Sequence, residues 1–236
     1  MKDDISYDLI EGQMSPFPPA RPSDLGVRSK RSRRAFYFAT KRVLDIFGAV
    51  FGLFLIFPLL IGVAVAIKIG SRGPVFFRQE RYGLNGELFR IYKFRTMYSD
   101  SGDATGVKQT TSNDNRVTPI GAFLRRTSID ELPQLINVLN GTMSFVGPRP
   151  HVPNMLAAGV RYEDFDRRYM YRHGMLPGIT GLAQVSGYRG PTSSYEAARG
   201  RLELDLEYIR TASLYGDFKI LVKTIAQEFL RGGSGH

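Results

Sequence analysis

No cysteine occurs anywhere in the 236-residue chain. Disulfides, thiolate metal sites and thiol nucleophiles are therefore excluded. Histidine is nearly as scarce, with only His151, His173 and His236. That argues against an all-protein zinc site. Any metal should be a hard cation held by carboxylates and phosphates, as Mg²⁺ usually is. Acidic residues are in deficit: 22 Asp and Glu stand against 32 Lys and Arg, a formal net charge of +10. Such a balance suits an anionic partner, whether nucleic acid, acidic lipid headgroups or a phosphorylated substrate. Internal repeats are absent. So is any nucleic-acid-binding motif, and much of the basic charge lies beside an apolar segment.

The length permits one domain with attachments. Residues 1–35, including "SPFPPARPSDLG" and the cluster "RSKRSRR", read as a disordered basic tail. Lys41 and Arg42 extend the basic run, and its position suits anionic lipid. Next, Ile46 to Ile67 carries no charge. As a helix it would be about 33 Å long, close to the thickness of a bilayer's hydrocarbon core. The alternatives are a buried core helix or a cleaved signal peptide. The segment lies too deep in the chain and is too long for the latter. Both flanks are basic: Arg33, Arg34, Lys41 and Arg42 precede it, and Lys68, Arg72, Arg78 and Arg81 follow. Pro58 falls near its middle. A basic residue set on both sides and a central helix breaker favour a re-entrant hairpin over residues 36–70, with both ends cytoplasmic.

Downstream, a cytoplasmic domain lying on the membrane is expected over residues 71–232. Aromatic-rich runs on either side of Asn85-Gly86 predict a β-hairpin carrying Arg78, Arg81, Lys93 and Arg95. A polar loop should span Tyr98–Asn115, with helices near Ala122–Arg126, from Asp130, and over Tyr162–Arg172. "LPGITGLAQVSGYRG" reads as a Gly-punctuated loop or short strand. Near the end, Leu214, Phe218, Leu221, Ile225 and Phe229 recur at helical spacing. That stripe is either core packing or an interfacial membrane helix. The fold class is thus α+β: a re-entrant membrane helix, a short β-hairpin and several amphipathic interfacial helices.

The stretch "RRTSIDELPQLINVLNGTMSFVGPRP" (Arg125–Pro150) holds two adjacent carboxylates, Asp130 and Glu131, framed by arginines. One account is purely structural: Ser128-x-x-Glu131 matches a capping box, ahead of an apolar face of Leu132, Leu135, Ile136 and Leu139. The other is chemical. A helix start would keep Asp130 ionised, and a carboxylate is a competent nucleophile toward phosphorus. The second carboxylate could hold Mg²⁺ against phosphate oxygens, while Arg125 and Arg149 pair with phosphates.

Together these motifs resemble the bacterial sugar transferases, also called monotopic phosphoglycosyl transferases. The resemblance rests on "KRVLDIFGAVFGLFLIFPLLIGVAVAIKI", "GPVFFRQERYG", "YKFRTM", "DNRVTPIGAFLRRTSIDELPQLINVLNGTMSFVGPRP" and "PGITGLAQVSGYRG", in family order from Lys41 to Gly190. "DELPQ" followed by "VGPRP" is its most specific part. It implies that Asp130 attacks a UDP-sugar and releases UMP, leaving a covalent phosphosugar that passes to undecaprenyl phosphate. This would be the first membrane step of exopolysaccharide synthesis. Glu131 would help bind Mg²⁺; Arg125, Arg149, Lys93 and Arg95 would line the substrate site; Pro58 would break the membrane helix. The C-terminal region looks like that of enzymes that load glucose 1-phosphate. UDP-glucose is thus the first expectation and UDP-galactose the second. Many of those enzymes carry extra N-terminal membrane helices and a regulatory domain, and this chain is expected to be a compact form without them. The implied partners are anionic inner-membrane lipids and downstream glycosyltransferases. A homodimer is compatible, no nucleic acid is expected, and the catalytic domain would sit on the cytoplasmic face. Two rivals are a D-x-D glycosyltransferase at Asp164-Phe165-Asp166 and a membrane-tethered adaptor or nucleic-acid binder exploiting the net charge.

Overall fold

A computed structural model describes residues 28–99 and 114–230. The tail up to residue 27 and most of the expected polar loop lie outside these. The chain begins with α1 (Arg28–Gly70), a helix of 43 residues. It starts ahead of the boundary expected at residue 36, so the basic cluster is helical rather than part of the tail. It also runs through Pro58, where a break between two helices was expected. One side of α1 packs inward through Ala49, Val63 and Ile67. The other exposes Phe47, Phe51, Phe54, Leu55 and Ile69, each more than 65% accessible. A contiguous apolar face of this size is not what a helix in water displays. Arg34–Gly70 is long and apolar enough to cross a membrane, and most of its most apolar stretch is exposed. The buried-core alternative is therefore excluded, and the chain has the character of a membrane-associated protein.

Polar contacts tie the first half of α1 to the rest of the chain. Lys41 pairs with Asp217 at 2.7 Å, and Asp217 also accepts from Tyr37 and Tyr208. Arg42 donates to the carbonyls of Val138 and Leu139 at 2.6 and 2.9 Å. Asp45 accepts from the backbone of Phe145. Lys41 and Arg42, expected on lipid headgroups, are thus used internally. A buried ion pair holds its place because neither charge can be left alone in low dielectric. Gly48 permits close approach here, since a Cβ would lie 2.8 Å from the Phe145 ring. The second half of α1 packs Val63 and Ile67 against Phe94 and Leu124.

The hairpin forms as its turn chemistry dictates. β1 (Phe76–Tyr82) and β2 (Leu88–Phe94) pair antiparallel, Phe77 opposite Lys93 and Arg81 opposite Phe89. Asn85 and Gly86 both take positive φ, 56° and 79°, as tight hairpin turns require. Period-2 alternation then puts Arg81, Gln79, Ile91 and Lys93 on one face. α2 (Pro119–Arg126) is capped by Thr118, whose hydroxyl accepts from the Gly121 amide, with Pro119 in its first turn. α3 (Gln134–Leu139) docks on the free edge of β2 through one side chain. Asn137 accepts from the Tyr92 amide at 2.9 Å and donates to the Arg90 carbonyl at 2.8 Å, replacing a missing strand.

β3 (Ser144–Val146) pairs in parallel with β6 (Gly178–Thr180), and the minor strands β4 (Leu156–Ala157) and β5 (Val160–Arg161) pair antiparallel. The expected helix over Tyr162–Arg172 is broken. α4 (Tyr162–Phe165) spans four residues and a 3₁₀ turn follows at Tyr169–His173. Stacking of Tyr162, Tyr169 and His151 replaces helical continuity there. The Gly-punctuated segment gives β6 and α5 (Leu182–Val185), and the chain closes with α6 (Tyr195–Thr211) and α7 (Leu214–Leu230). The α7 stripe divides. Leu214 and Leu221 pack on the core while Phe218 and Ile225 are exposed, with Tyr215 and Val222 beside them. The Phe229 side chain lies outside the described set. Helices and small sheets share one body, so the α+β class holds at that level.

Candidate active site

Asp130 and Glu131 lie on a 3₁₀ turn, Ile129–Glu131, ahead of α3. They do not start a regular helix, and α3 has only six residues. The capping-box account fails on geometry: Ser128 is left-handed at φ 56° and its side chain caps nothing. Its hydroxyl instead donates to Glu228 at 3.2 Å and accepts from Arg189 at 2.9 Å, while Arg189 and Glu228 pair with each other. The turn is thereby held by α7 and by the loop after α5.

The two acids meet different surroundings. Lys93 donates to Glu131 at 2.7 Å, and Arg149 donates to both its oxygens at 2.5 and 3.3 Å. Burial opposes the Glu131 charge, but Arg149 and Lys93 more than offset it and hold the carboxyl well below the usual range. Asp130 is also buried, at 8% accessibility. Among the described residues it has no ion pair or hydrogen bond to its carboxylate. Burial therefore raises its pKa; Lys93, Arg125 and Arg149 act against that, and the Glu131 charge adds to it. Adjacent carboxylates with opposed shifts have separated roles available to them.

Each cation is positioned by its own element. Lys93 comes from the inner face of β2. Arg149 sits in Gly147–Pro150, the loop after β3. Gly147 fits closely there, because a Cβ would meet the Leu176 carbonyl at 2.3 Å. Two further arginines grip this loop: Arg172 donates to the Arg149 carbonyl at 2.7 Å and Arg81 to the Pro150 carbonyl at 3.1 Å. Arg172 is in turn paired with Asp205 in full burial. Arg125 closes the far side from the last turn of α2, its Nε on the Thr96 hydroxyl at 2.8 Å.

Lys93, Arg125 and Arg149 are thus gathered around the acid pair. Arg95 is not. It follows β2 but turns away, donating to the carbonyls of Ser71 and Arg72 and to the hydroxyls of Ser71 and Ser99. It braces the exit from α1 instead of lining the site. Pro58 lies within α1, far from this cluster in sequence. The D-x-D letters are spent on local ion pairs, Asp164 with Arg161 and Asp166 with Arg168. Sequence reasoning missed Arg81 and Gln134, which line a cleft beside Glu131. Hairpin register was the signal for Arg81, which faces the same way as Lys93. The Ser128–Arg189–Glu228 tether gave no local signal.

A profile described as "Bacterial sugar transferase" matches residues 36–231. The chain belongs to the bacterial sugar transferase family. It is 49% identical to "Exopolysaccharide production protein PSS" of Rhizobium leguminosarum bv. phaseoli, over 81% of this chain and 96% of that protein. It is 50% identical to "UDP-glucose:undecaprenyl-phosphate glucose-1-phosphate transferase" of Escherichia coli K12, over 80% of this chain but 40% of that protein. It is 43% identical to an N-acetylgalactosaminephosphotransferase of Aeromonas hydrophila, over 80% of this chain and 43% of the relative. The chain spans well under half the length of the latter two.

The left-handed turn at Ser128 generates a stability prediction. Ser128→Gly and Ser128→Val both lose the hydroxyl contacts, but only glycine takes positive φ freely. Ser128→Val should cost about 1–3 kcal/mol more than Ser128→Gly. Thermal unfolding of the two purified variants measures the difference. Equal midpoints would mean that this backbone geometry does not hold the turn.

Proposed function

We propose that the protein is a phosphoglycosyl transferase that moves a hexose 1-phosphate from a UDP-sugar to undecaprenyl phosphate. The observation that carries this reading is the unpaired, buried Asp130 beside a Glu131 clamped by Lys93 and Arg149. An anion without hydrogen-bond partners keeps its lone pairs for an electrophile. Asp130 attacks the β-phosphorus; the bond to the bridging oxygen breaks, and UMP leaves with the electron pair. The aspartyl phosphosugar is then discharged by the phosphate of undecaprenyl phosphate. Lys93, Arg149 and Arg125 offset the charge that the diphosphate brings among two carboxylates. The names of the similar proteins support glucose as the sugar, with galactose and N-acetylgalactosamine as alternatives.

The donor set suits Mg²⁺. Among the described residues no group of three His, Asp or Glu could hold a metal alone. Mg²⁺ commonly takes one or two carboxylates and completes its shell with phosphates and water. Glu131 Oε2, with one contact at 3.3 Å, would hold it. A bound Mg²⁺ would neutralise phosphate charge. The polar side chains already described orient the substrate.

Incubation with UDP-sugar alone tests the reaction. The wild-type enzyme should gain the mass of a hexose phosphate and release UMP, and Asp130→Asn should do neither while remaining folded. A folded Asp130→Asn enzyme with near-native turnover would refute covalent catalysis at Asp130.

We also infer that α1 enters and leaves the bacterial inner membrane by its cytoplasmic leaflet, with the bend at Pro58. Its support is that both ends dock on one body, Lys41 on Asp217 and Ile67 beside Leu124. A straight span would carry those ends to opposite sides of about 30 Å of hydrocarbon. Arg34→Cys and Arg72→Cys, introduced singly into this cysteine-free chain, should both resist an impermeant thiol reagent added to intact cells. Labelling at one position alone would establish a full span.

A further inference from the structure

Arg81 lies beside the Lys93–Glu131–Arg149 cluster, donating to the carbonyl of Pro150, the residue after Arg149. There a small cleft opens, lined by Arg81, Ile91, Lys93, Gln134, Arg149 and Pro150. Neither Asp130 nor Arg125 lines it.

Two donors at this cleft lack partners. Gln134 is 2% accessible, and its side-chain Nε2 makes no hydrogen bond. Arg81 spends two nitrogens on the Gln79 side chain and the Pro150 carbonyl, while its Nε is buried and unsatisfied. Buried donors without partners are costly and rare in folded proteins. Two at one cleft, one of them cationic, describe a place made for an acceptor that arrives from outside. The chemistry fits a phosphate oxygen.

We propose that Arg81 and Gln134 form the subsite for the nucleotide's own phosphate, the group that departs as UMP. This rests on the phosphoglycosyl transfer proposed above. When Asp130 bonds to the β-phosphorus, the bridging oxygen takes the electron pair and becomes a third terminal oxygen of UMP. The charge on that phosphate rises from −1 to −2, while the enzyme-bound phosphosugar diester carries −1. The growing charge therefore lies on the leaving phosphate, and Arg81 and Gln134 supply N–H donors at a cleft that shares Lys93 and Arg149 with the acid pair. Groups aimed where charge develops assist the step more than groups that bind substrate and product alike. The acceptor lipid phosphate attacks after UMP has left and is predicted not to depend on these two side chains.

The test uses the full chain in lipid nanodiscs with UMP as the probe. Arg81→Lys keeps the charge but loses the fork that grips Pro150, so it alone could disturb the loop. Gln134→Met keeps size and burial while removing the donor. UMP affinity by calorimetry should fall about tenfold or more in each variant, as loss of a hydrogen bond to a charged group predicts. Reverse discharge of the phosphosugar adduct by UMP should slow in parallel. Discharge by undecaprenyl phosphate should stay within about twofold of wild type in Gln134→Met. UMP affinity unchanged in Gln134→Met overturns the proposal, as does a loss confined to discharge by the lipid phosphate. A wild-type enzyme that forms no adduct at all would instead refute the covalent reaction, and the UMP affinities would still be measurable.

Discussion

The site depends on the clamp around Glu131. Two adjacent carboxylates in a buried pocket repel one another, and each loses hydration. Lys93 from the hairpin and Arg149 from the loop after β3 both hydrogen-bond to Glu131 and to no other carboxylate. One acid is thereby fixed as a structural anion and organises two cations. The other is left buried, without an ion pair among the described residues, and chemically unspent. Removing either cation would leave Glu131 with a single partner, and removing Glu131 would leave both cations without their hydrogen-bonded carboxylate. The rest of the fold can be understood as holding these three groups in register. Asn137 locks α3 to β2, Arg172 and Arg81 grip the loop carbonyls, and the Ser128 tether fixes the turn from α7.

A second constraint couples that site to the membrane. The core under the acid pair is built partly from α1: Ala49 joins Leu135, Val138 and Ile91, and Val63 and Ile67 join Leu124 and Phe94. The same helix exposes a wide apolar face. Lipid contact on one side and core packing on the other therefore act on one element. The exposed Tyr215, Phe218, Val222 and Ile225 of α7 extend the apolar surface near Asp217, where Lys41 is anchored. A water-borne nucleotide sugar and a lipid-borne acceptor can meet only at such a boundary, which is consistent with the proposed reaction.

Local chemistry was legible in the sequence where local chemistry decides. Asn85-Gly86 fixed a hairpin because few other residues tolerate two positive φ angles in succession. The apolar run gave a membrane-grade helix, and acids framed by arginines gave the site. Long-range partners were not legible. Ser128 looked like a helix cap because its spacing to Glu131 fits one, but Arg189 and Glu228, remote in sequence, claim its hydroxyl. Arg95 looked like a site residue because it neighbours Lys93, yet it follows the strand and turns toward Ser71. Lys41 and Arg42 read as lipid contacts because the Asp217 side chain and the α3 carbonyls are distant in the chain. Tyr162–Arg172 had helical composition, but aromatic stacking with His151 broke it. Gln134 stood in plain view within "DELPQ", and only its lack of a partner makes it informative.

The division of labour between the two acids has a direct kinetic signature. In the proposed reaction, attack requires ionised Asp130, whose pKa is raised by burial and by the neighbouring Glu131 charge. Adduct formation should therefore fall as pH drops through a value above that of an ordinary aspartate. In Glu131→Gln the like charge is gone, and Lys93 and Arg149 are left facing Asp130. The variant should be slower, because its cations are no longer held, but its acid limb should move to lower pH. The decisive measurement is the pH dependence of adduct formation in rapid-quench experiments on the wild type and Glu131→Gln. A limb displaced downward in the variant is the predicted result. A limb that stays in place or moves upward would contradict the assignment of Asp130 as the free acid and Glu131 as the clamped one.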